Sequence, residues 1–373
     1  RARKNPHTGE SVAGPVTLSD EELARNRVDK VAEVKAHPLL DEYHQEMAID
    51  WSKVTVPLLS AANWGGQGLH LRGNIEGYWQ SASAHKWLEV HGLEHWTHFY
   101  TPYGLNLQKR FFDYFLKGED NGWDKQPKVL LQIRHPGNKF VERGEEAWPI
   151  PRTVWTKYYL DANDLSLKNK PAGQGGTVTY EAMGNGVTFW LPPMEEETEI
   201  TGPLAAKLFI SSSTSDADLF LVLRLFAPDG EEVVFRGAMD AHTPVAQGWL
   251  RASHRQLDES RSLPYRPYHP HTEKEPLVPG EIYELDIEIW PTCIVVPVGY
   301  RLALTVRGKD YEYEGVIDEE ARSFHRYPSR GCGPFLHNDP DDRPPEIFAN
   351  QVTVHTGPGR ESYLLLPIIP EKQ

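Results

Sequence analysis

The chain has 373 residues, more than one typical domain, and its 39 basic and 53 acidic residues give a formal charge of −14. A charge of that sign repels phosphate backbones, so no nucleic-acid partner is expected. The hydrophobic content of 39% suits a folded core, and the apolar runs are much shorter than the roughly 20 residues that span a bilayer.

The cysteines and the first residues say little about location. Cys293 and Cys332 are too few for a disulfide framework, and whether they pair stays open. The chain begins at Arg1 with a basic, turn-rich segment that lacks the apolar core of a secretory signal. Because it does not begin with Met, we expect a processed, trimmed or fragmentary chain. Without a secretory signal in the sequence, we take the cytoplasm as the expected location.

The first periodic stretch runs from Ser19 to Ala36 and predicts a helix, because Ser19 and Glu22 have the spacing of a capping box. Its apolar residues form a broken stripe, so we expect this helix to cover another element rather than to form a core alone. The stripe consists of Leu23, Val28, Val31 and Val34.

Strand and helix patterns alternate from Val54 to Gly118. The apolar runs VTVPLLSAAN and KWLEVHG predict strands, and LHLRGNIEGYWQSAS and LNLQKRFFDYFLKG predict helices, the second of which ends at Gly118. This order implies parallel strands with helices packed on the sheet. The apolar face predicted for the second helix contains Leu107, Phe111, Phe112, Phe115 and Leu116.

From about residue 127 the pattern becomes β-rich. Ten short runs, from KVLLQIR to SYLLLPII, are separated by turn clusters, and no helical pattern lies between them. Such a succession of strands is typical of a β-sandwich.

The densest polar cluster is HGLEHWTH, which starts at His91 directly after the second predicted strand. His91, Glu94 and His95 match H-x-x-E-H, a zinc-peptidase motif in which two histidines one helical turn apart bind the metal. That geometry requires a helix. Gly92 and the preceding strand pattern disfavour one, so zinc binding is the weaker interpretation.

A second interpretation places one of these histidines in the loop after a parallel strand. Ligands and catalytic groups of open α/β sheets collect there, and an α/β-hydrolase has its general base at this position. Histidines without chemical function are the third interpretation. The hydrolase would need a serine upstream on a G-x-S-x-G elbow, and no serine of this chain has that context, including the run SSSTS at 211–215.

Several segments taken together resemble a known family of serine hydrolases. They are VPLLSAANWGGQG, KWLEVHGLEHW, QKRFFDYFLKGEDNGW, and a β-rich part that contains ITGPLAAKLFISS and VPGEIYELDIEIW. In this order they are similar to the cocaine esterase and X-prolyl dipeptidyl-peptidase group, called CocE/NonD, from about Leu39 onward.

The resemblance implies the C-terminal part of an α/β-hydrolase domain followed by a jelly-roll β-sandwich. Residues 1–45 would be the end of a helical cap region, 46–126 the hydrolase part, and 127–373 the jelly roll that closes one side of a substrate pocket. Family members carry the first strands, the nucleophile and an oxyanion-hole tyrosine upstream of these segments. We therefore expect those parts on a separate piece or lost by truncation.

Carried over by position, the resemblance assigns the catalytic histidine to His95. It places the acid, an aspartate in the family, on Gly66, which has no side chain. Glu76 is our first candidate to replace that acid, and Glu94 and Asp50 are the other nearby carboxylates. As an alternative, all three are ordinary surface charges.

The resemblance implies an acyl hydrolase that cleaves a small ester or a short peptide through a serine acyl-enzyme, without a metal or cofactor. Trp64, Trp96 and Tyr100 are expected to line its substrate pocket. The alternative is a non-catalytic module that binds a ligand or partner and retains a hydrolase remnant. A sheet truncated at one edge also favours a homo-oligomer, or association with the missing segment, through unpaired backbone groups.

Overall fold

The computed structural model describes residues 4, 8–10, 18–93, 95–237, 240–316, 331 and 336–371, without the side chains of residues 95 and 97. The chain divides into two compact units, residues 1–48 and 49–373. Within the described part, no helix combines the length and apolarity needed to cross a membrane.

The first unit contains three short helices without a buried residue in any of them. The capping box of Ser19 and Glu22 is confirmed. The single helix predicted from Ser19 to Ala36 is wrong, because the chain leaves the helix at Asn26 and the Asp29 side chain starts a second one by accepting from two backbone amides. The helices are α1 (Asp20–Arg25), α2 (Lys30–Ala36) and α3 (Glu42–Met47).

The second unit begins with a sheet of four strands in the order β1-β2-β3-β4. The first three are parallel and β4 is antiparallel to β3, so the predicted parallel pairing is confirmed. The run KVLLQIR, which the sequence grouped with the β-rich half, forms β3 and pairs with β2 instead. The elements are β1 (Leu58–Asn63), α4 (Leu71–Gln80), β2 (Lys86–His91), α5 (His95–Phe99), α6 (Pro102–Lys117), β3 (Val129–His135) and β4 (Lys139–Glu145).

The side chains of β2 are divided between two cores. Leu88 and Val90 join a cluster that contains residues of α4 and of the second sheet. Trp87 lies on the other face and packs with Phe111 of α6 and Trp123. Because strand side chains alternate, the two buried polar residues of β2, Glu89 and His91, point to the α6 face as Trp87 does.

The second sheet has twelve strands and closes on itself, because β13 pairs with both β12 and β9. Most pairs are antiparallel, and the inward side chains form the largest core cluster. The strands are β5 (Val154–Asp161), β6 (Ser166–Lys168), β7 (Gly176–Glu181), β8 (Val187–Trp190), β9 (Thr198–Ser212), β10 (Asp218–Phe226), β11 (Glu232–Val233), β12 (Ala246–Arg251), β13 (Tyr283–Val296), β14 (Arg301–Arg307), β15 (Gln351–Thr356) and β16 (Tyr363–Ile369), with α7 (Pro345–Phe348) before β15.

Candidate active site

A cavity of about 780 Å³ lies between β1, the end of β2, α5 and α6. Its walls are mainly aliphatic and aromatic, and the polar groups of Glu89 and His91 are part of them. A pocket with apolar walls and a few placed polar groups is the usual form of a small-molecule site. The lining consists of Leu58, Leu59, Ser60, Ala61, Asn74, Glu89, His91, Trp96, His98, Phe99, Tyr100, Tyr103, Gly104, Leu107, Gln108, Phe111 and Phe112.

Three side chains of this wall form a connected row. Nδ1 of His91 lies 2.9 Å from one carboxylate oxygen of Glu89, and the Tyr103 hydroxyl donates to the other oxygen at 2.9 Å. Glu89 is 2% exposed and His91 is 5% exposed. The ring of His98 lies 5.0 Å from that of His91, measured between centroids.

Burial favours the protonated form of the Tyr103 phenol. Removal from water, and then the charge of Glu89, raise the pKa of the Tyr103 phenol well above its ordinary value. The hydroxyl therefore stays protonated and serves as a donor to the carboxylate. Two donors on two oxygens compensate the cost of burying Glu89 in its charged form.

The turn after β2 is fixed at several points. A Cβ on Gly92 would lie 2.2 Å from the Phe140 ring, so a side chain there would force that ring to move. The Gly92 amide donates to Gln132, and Leu93 adopts a left-handed conformation with its carbonyl oxygen accepting from the Asn63 amide at 2.7 Å. The geometry of His91 is thus set by its neighbours on both sides.

The predicted pocket residues divide between two places. Trp96 and Tyr100 line the cavity, as expected from the sequence. Trp64 does not, because it is 1% exposed in the core between the sheets, where its indole N–H donates to the Gln132 carbonyl oxygen at 2.7 Å.

Glu76, the first candidate for the acid, is not brought to this cavity. It lies on α4, and its carboxylate accepts from Arg266 at 2.7 Å and from Gln80 at 2.7 Å. This ion pair joins α4 to the loop before β13, so the structure gives Glu76 a linking position rather than a place beside a histidine of the cavity. Asp50 caps a short helical turn through the Ser52 amide.

The backbone places His95 at the start of α5, and its side chain lies outside the described part, as does the whole of Glu94. His91 belongs to β2 and not to a helix. The two histidines therefore do not share the helical turn that zinc binding through H-x-x-E-H requires, and this interpretation is wrong.

Sequence reasoning missed Glu89 and Tyr103. A signal for Glu89 was present, because it occupies the middle of a strand that is otherwise apolar, in KWLEVH. A carboxylate in such a run is buried and needs a partner. His91 lies two residues further along the same face of the strand and could have been expected as that partner.

Residues 121–365 match the sequence profile described as the X-Pro dipeptidyl-peptidase C-terminal non-catalytic domain. A solved CocE/NonD family hydrolase from Staphylococcus aureus superposes with a TM-score of 0.81 at 30% identity, over 92% of this chain and 59% of that one. The chain belongs to the CocE/NonD and X-Pro dipeptidyl-peptidase family.

More distant proteins share part of the sequence or the fold. The cocaine esterase of Rhodococcus sp. strain MB1 Bresler is 23% identical over 308 residues, which are 70% of this chain and 45% of that protein. An aminopeptidase from a marine sediment Thaumarchaeota archaeon shares the fold, with a TM-score of 0.65 at 16% identity over 93% of this chain and 62% of that one. The chain spans less than half the length of the curated relatives it matches.

Proposed function

We propose that this chain supplies a histidine and the β-rich half of an acyl hydrolase that cleaves esters or short peptides through a serine acyl-enzyme. The observation that carries the proposal is the cavity at the carboxyl end of β2, where an imidazole hydrogen-bonded to a buried carboxylate forms part of an apolar wall. Membership in a family with esterases and peptidases supports the same reaction class.

In this proposal the base is a histidine at the carboxyl end of β2 or directly after it. The resemblance assigns it to His95, which would take the serine proton and then deliver it to the leaving group. Trp96 and Tyr100 would contact the acyl or leaving group. The serine itself would come from residues outside this sequence, because no G-x-S-x-G is present in it.

The domain scheme is part of the proposal. Residues 1–45 would end a helical cap, 46–126 would be the last part of an α/β-hydrolase domain, and 127–373 a jelly roll. The parallel order of β1, β2 and β3 supports the hydrolase part, and the closure of the twelve-stranded sheet through the β13–β9 pairing supports the β-rich part. The pairing of β3 with β2, however, favours an end of the hydrolase part after residue 126, so the proposed boundary with the jelly roll moves toward the C-terminus.

The test uses a protein of the relatives' full length that contains this chain. We expect it to hydrolyse p-nitrophenyl acyl esters and to be labelled by a fluorophosphonate, and loss of hydrolysis in His95→Ala would support the base that the resemblance assigns. Comparison with Gly-Pro-p-nitroanilide separates an esterase from a dipeptidyl-peptidase. Hydrolysis that survives His95→Ala removes His95 as the base, and absence of both hydrolysis and labelling removes the proposed function.

The second candidate is a non-catalytic binding module. The description of the matching domain as non-catalytic favours it, as does the absence of a carboxylate at Gly66. In this case the cavity would hold a ligand or partner without turnover. The prediction is saturable binding of an acyl ester without release of its alcohol.

A further inference from the structure

The buried atom Nε2 of His91 has no hydrogen-bond partner in the part of the chain that the structure describes. Buried polar atoms are almost always paired, and an exception calls for an explanation. His91 forms part of the cavity wall and is hydrogen-bonded through its other nitrogen to Glu89. We infer that Glu89 and His91 are the acid–base pair of the proposed hydrolase, with Glu89 in place of the carboxylate that is absent at Gly66.

The hydrogen bonds define which nitrogen is basic. A carboxylate can only accept, so Nδ1 of His91 carries the proton and donates to Glu89. The lone pair of the neutral ring is then on Nε2. A carboxylate that fixes the tautomer and stabilises the imidazolium is the role of the acid in serine hydrolases. Tyr103 holds the second oxygen and so fixes the carboxylate.

The position of Gly66 explains why the acid lies elsewhere. A Cβ at Gly66 would be 2.9 Å from the side-chain oxygen of Asn63 and 3.3 Å from the backbone nitrogen of Leu71. Asn63, the last residue of β1, is paired in register with His91. A side chain at Gly66 would therefore crowd the turn, whereas Glu89 reaches His91 from two residues earlier on the same strand face.

The inference rests on the proposed function, and the proton balance follows from it. A serine hydroxyl gives its proton to Nε2 of His91 as its oxygen bonds to the acyl carbon. The protonated ring then gives this proton to the leaving alkoxide or amine as the carbon–heteroatom bond breaks. A water molecule repeats the sequence on the acyl-enzyme, and the proton returns to the serine oxygen.

The chain itself permits a test that does not depend on turnover. Nitrogen-15 NMR of the imidazole rings, assigned with His91→Asn, reports which nitrogen carries the proton. We expect the proton of the neutral ring to lie on Nδ1, the nitrogen that faces Glu89. The opposite tautomer, with the proton on Nε2, would overturn the inference whether or not the protein is a hydrolase.

The kinetic test uses the full-length protein and p-nitrophenyl esters. We expect His91→Ala and Glu89→Gln to lower kcat by about 10²–10⁴-fold, with little change in KM. Added imidazole should restore part of the activity of His91→Ala. His135→Ala, at the end of β3 and outside the cavity wall, is the matched control and should leave activity unchanged.

The pH profile separates a positioning carboxylate from a structural one. The groups that face His91 are Glu89 on β2, His98 on α5 and Tyr103 on α6, and Glu142 of β4 acts on Tyr103. Removing the charge of Glu89 favours the neutral ring, so the acid limb of kcat/KM in Glu89→Gln should move to lower pH. An unmoved limb contradicts the role of Glu89.

Imidazole rescue decides between the two histidines. Rescue of His91→Ala supports the inference, and rescue confined to His95→Ala overturns it while the proposed function stands. A wild-type protein that neither hydrolyses esters nor reacts with a fluorophosphonate removes the proposed function, and the NMR result then still tests the pair.

Discussion

Cys293 lies in β13 in the core between the two sheets, where no part of it is exposed. The Thr201 hydroxyl and the Arg134 amide both donate to its sulfur. Burial, as the largest cause, raises the pKa of the Cys293 thiol to about 11. The thiolate is the reactive form of cysteine. Cys293 is therefore protected from alkylation in two ways, because reagents cannot reach it and its thiol stays protonated.

We predict that Cys293 does not react with iodoacetamide in the native protein. At about pH 8 the thiolate fraction is on the order of 10⁻³, which adds to the steric protection. The measurement is mass spectrometry after labelling of a Cys332→Ser variant, so that one thiol reports. One label in denaturant and none in buffer is the expected pattern, and rapid native labelling would contradict the enclosed position.

At the residue scale, the sequence indicated which residues follow the strand ends, but not which of them the second sheet covers. Trp96 and Tyr100, which follow a strand end, line the cavity, and their contact with a substrate stays a prediction. Trp64 and Glu76 were misplaced because nothing local shows that the second sheet covers the α4 face of the first. Such contacts join residues far apart in the chain, and periodicity carries no information on them.

Helices α5 and α6 approach each other at Gly104. A Cβ there would lie 1.9 Å from the His98 carbonyl oxygen, a distance no side chain tolerates. Gly73 is also the third residue of its helix, α4, but an added Cβ would meet nothing within 4 Å. The two glycines therefore occupy the same position in their helices and differ in whether an added Cβ meets a neighbouring helix.

We predict opposite effects of alanine at these positions. Gly104→Ala must push α5 away from α6 and should destabilise the fold by about 1–3 kcal/mol. Gly73→Ala should stabilise it by roughly 0.5–1 kcal/mol, because alanine restricts the unfolded chain and favours the helix. Urea unfolding of both variants measures the difference. A neutral Gly104→Ala would show that the α5–α6 contact is looser than described.

At the element scale, hydrophobic period predicted the existence and type of most elements. The end of α6 at Gly118, which adopts a left-handed conformation, was predictable from that glycine. The partner of KVLLQIR was not, because a buried strand in a parallel sheet and one in a sandwich core have the same apolar pattern.

In the whole molecule, ion pairs reinforce the apolar contact between the sheets. Arg72 of α4 donates to both oxygens of Glu288 on β13 at 2.9 Å, and Arg143 of β4 pairs with Glu199 of β9 at 2.6 Å. Burial, partly offset by Arg72, raises the pKa of Glu288. These links explain why the two sheets form one compact unit.

The outer strands of the two sheets are protected differently. β7 ends the second sheet and presents threonines and a glutamate, in GTVTYE. β1 ends the first sheet with LLSAAN, and no strand pairs with its outer edge among the described residues. Phe112 and Leu116 of α6 are also exposed. An unpaired edge with apolar surroundings is a template for another strand.

We predict that this chain on its own self-associates through β1, with a strand of a second copy pairing along its outer edge. Ala61 is exposed in the middle of β1, and Ala61→Lys should shift the chain toward monomer, because a charge on the edge opposes strand pairing. Light scattering after size exclusion at several concentrations measures this, with Ala61→Ser as the uncharged control. A wild-type chain that is monodisperse and monomeric at every concentration would refute pairing through β1.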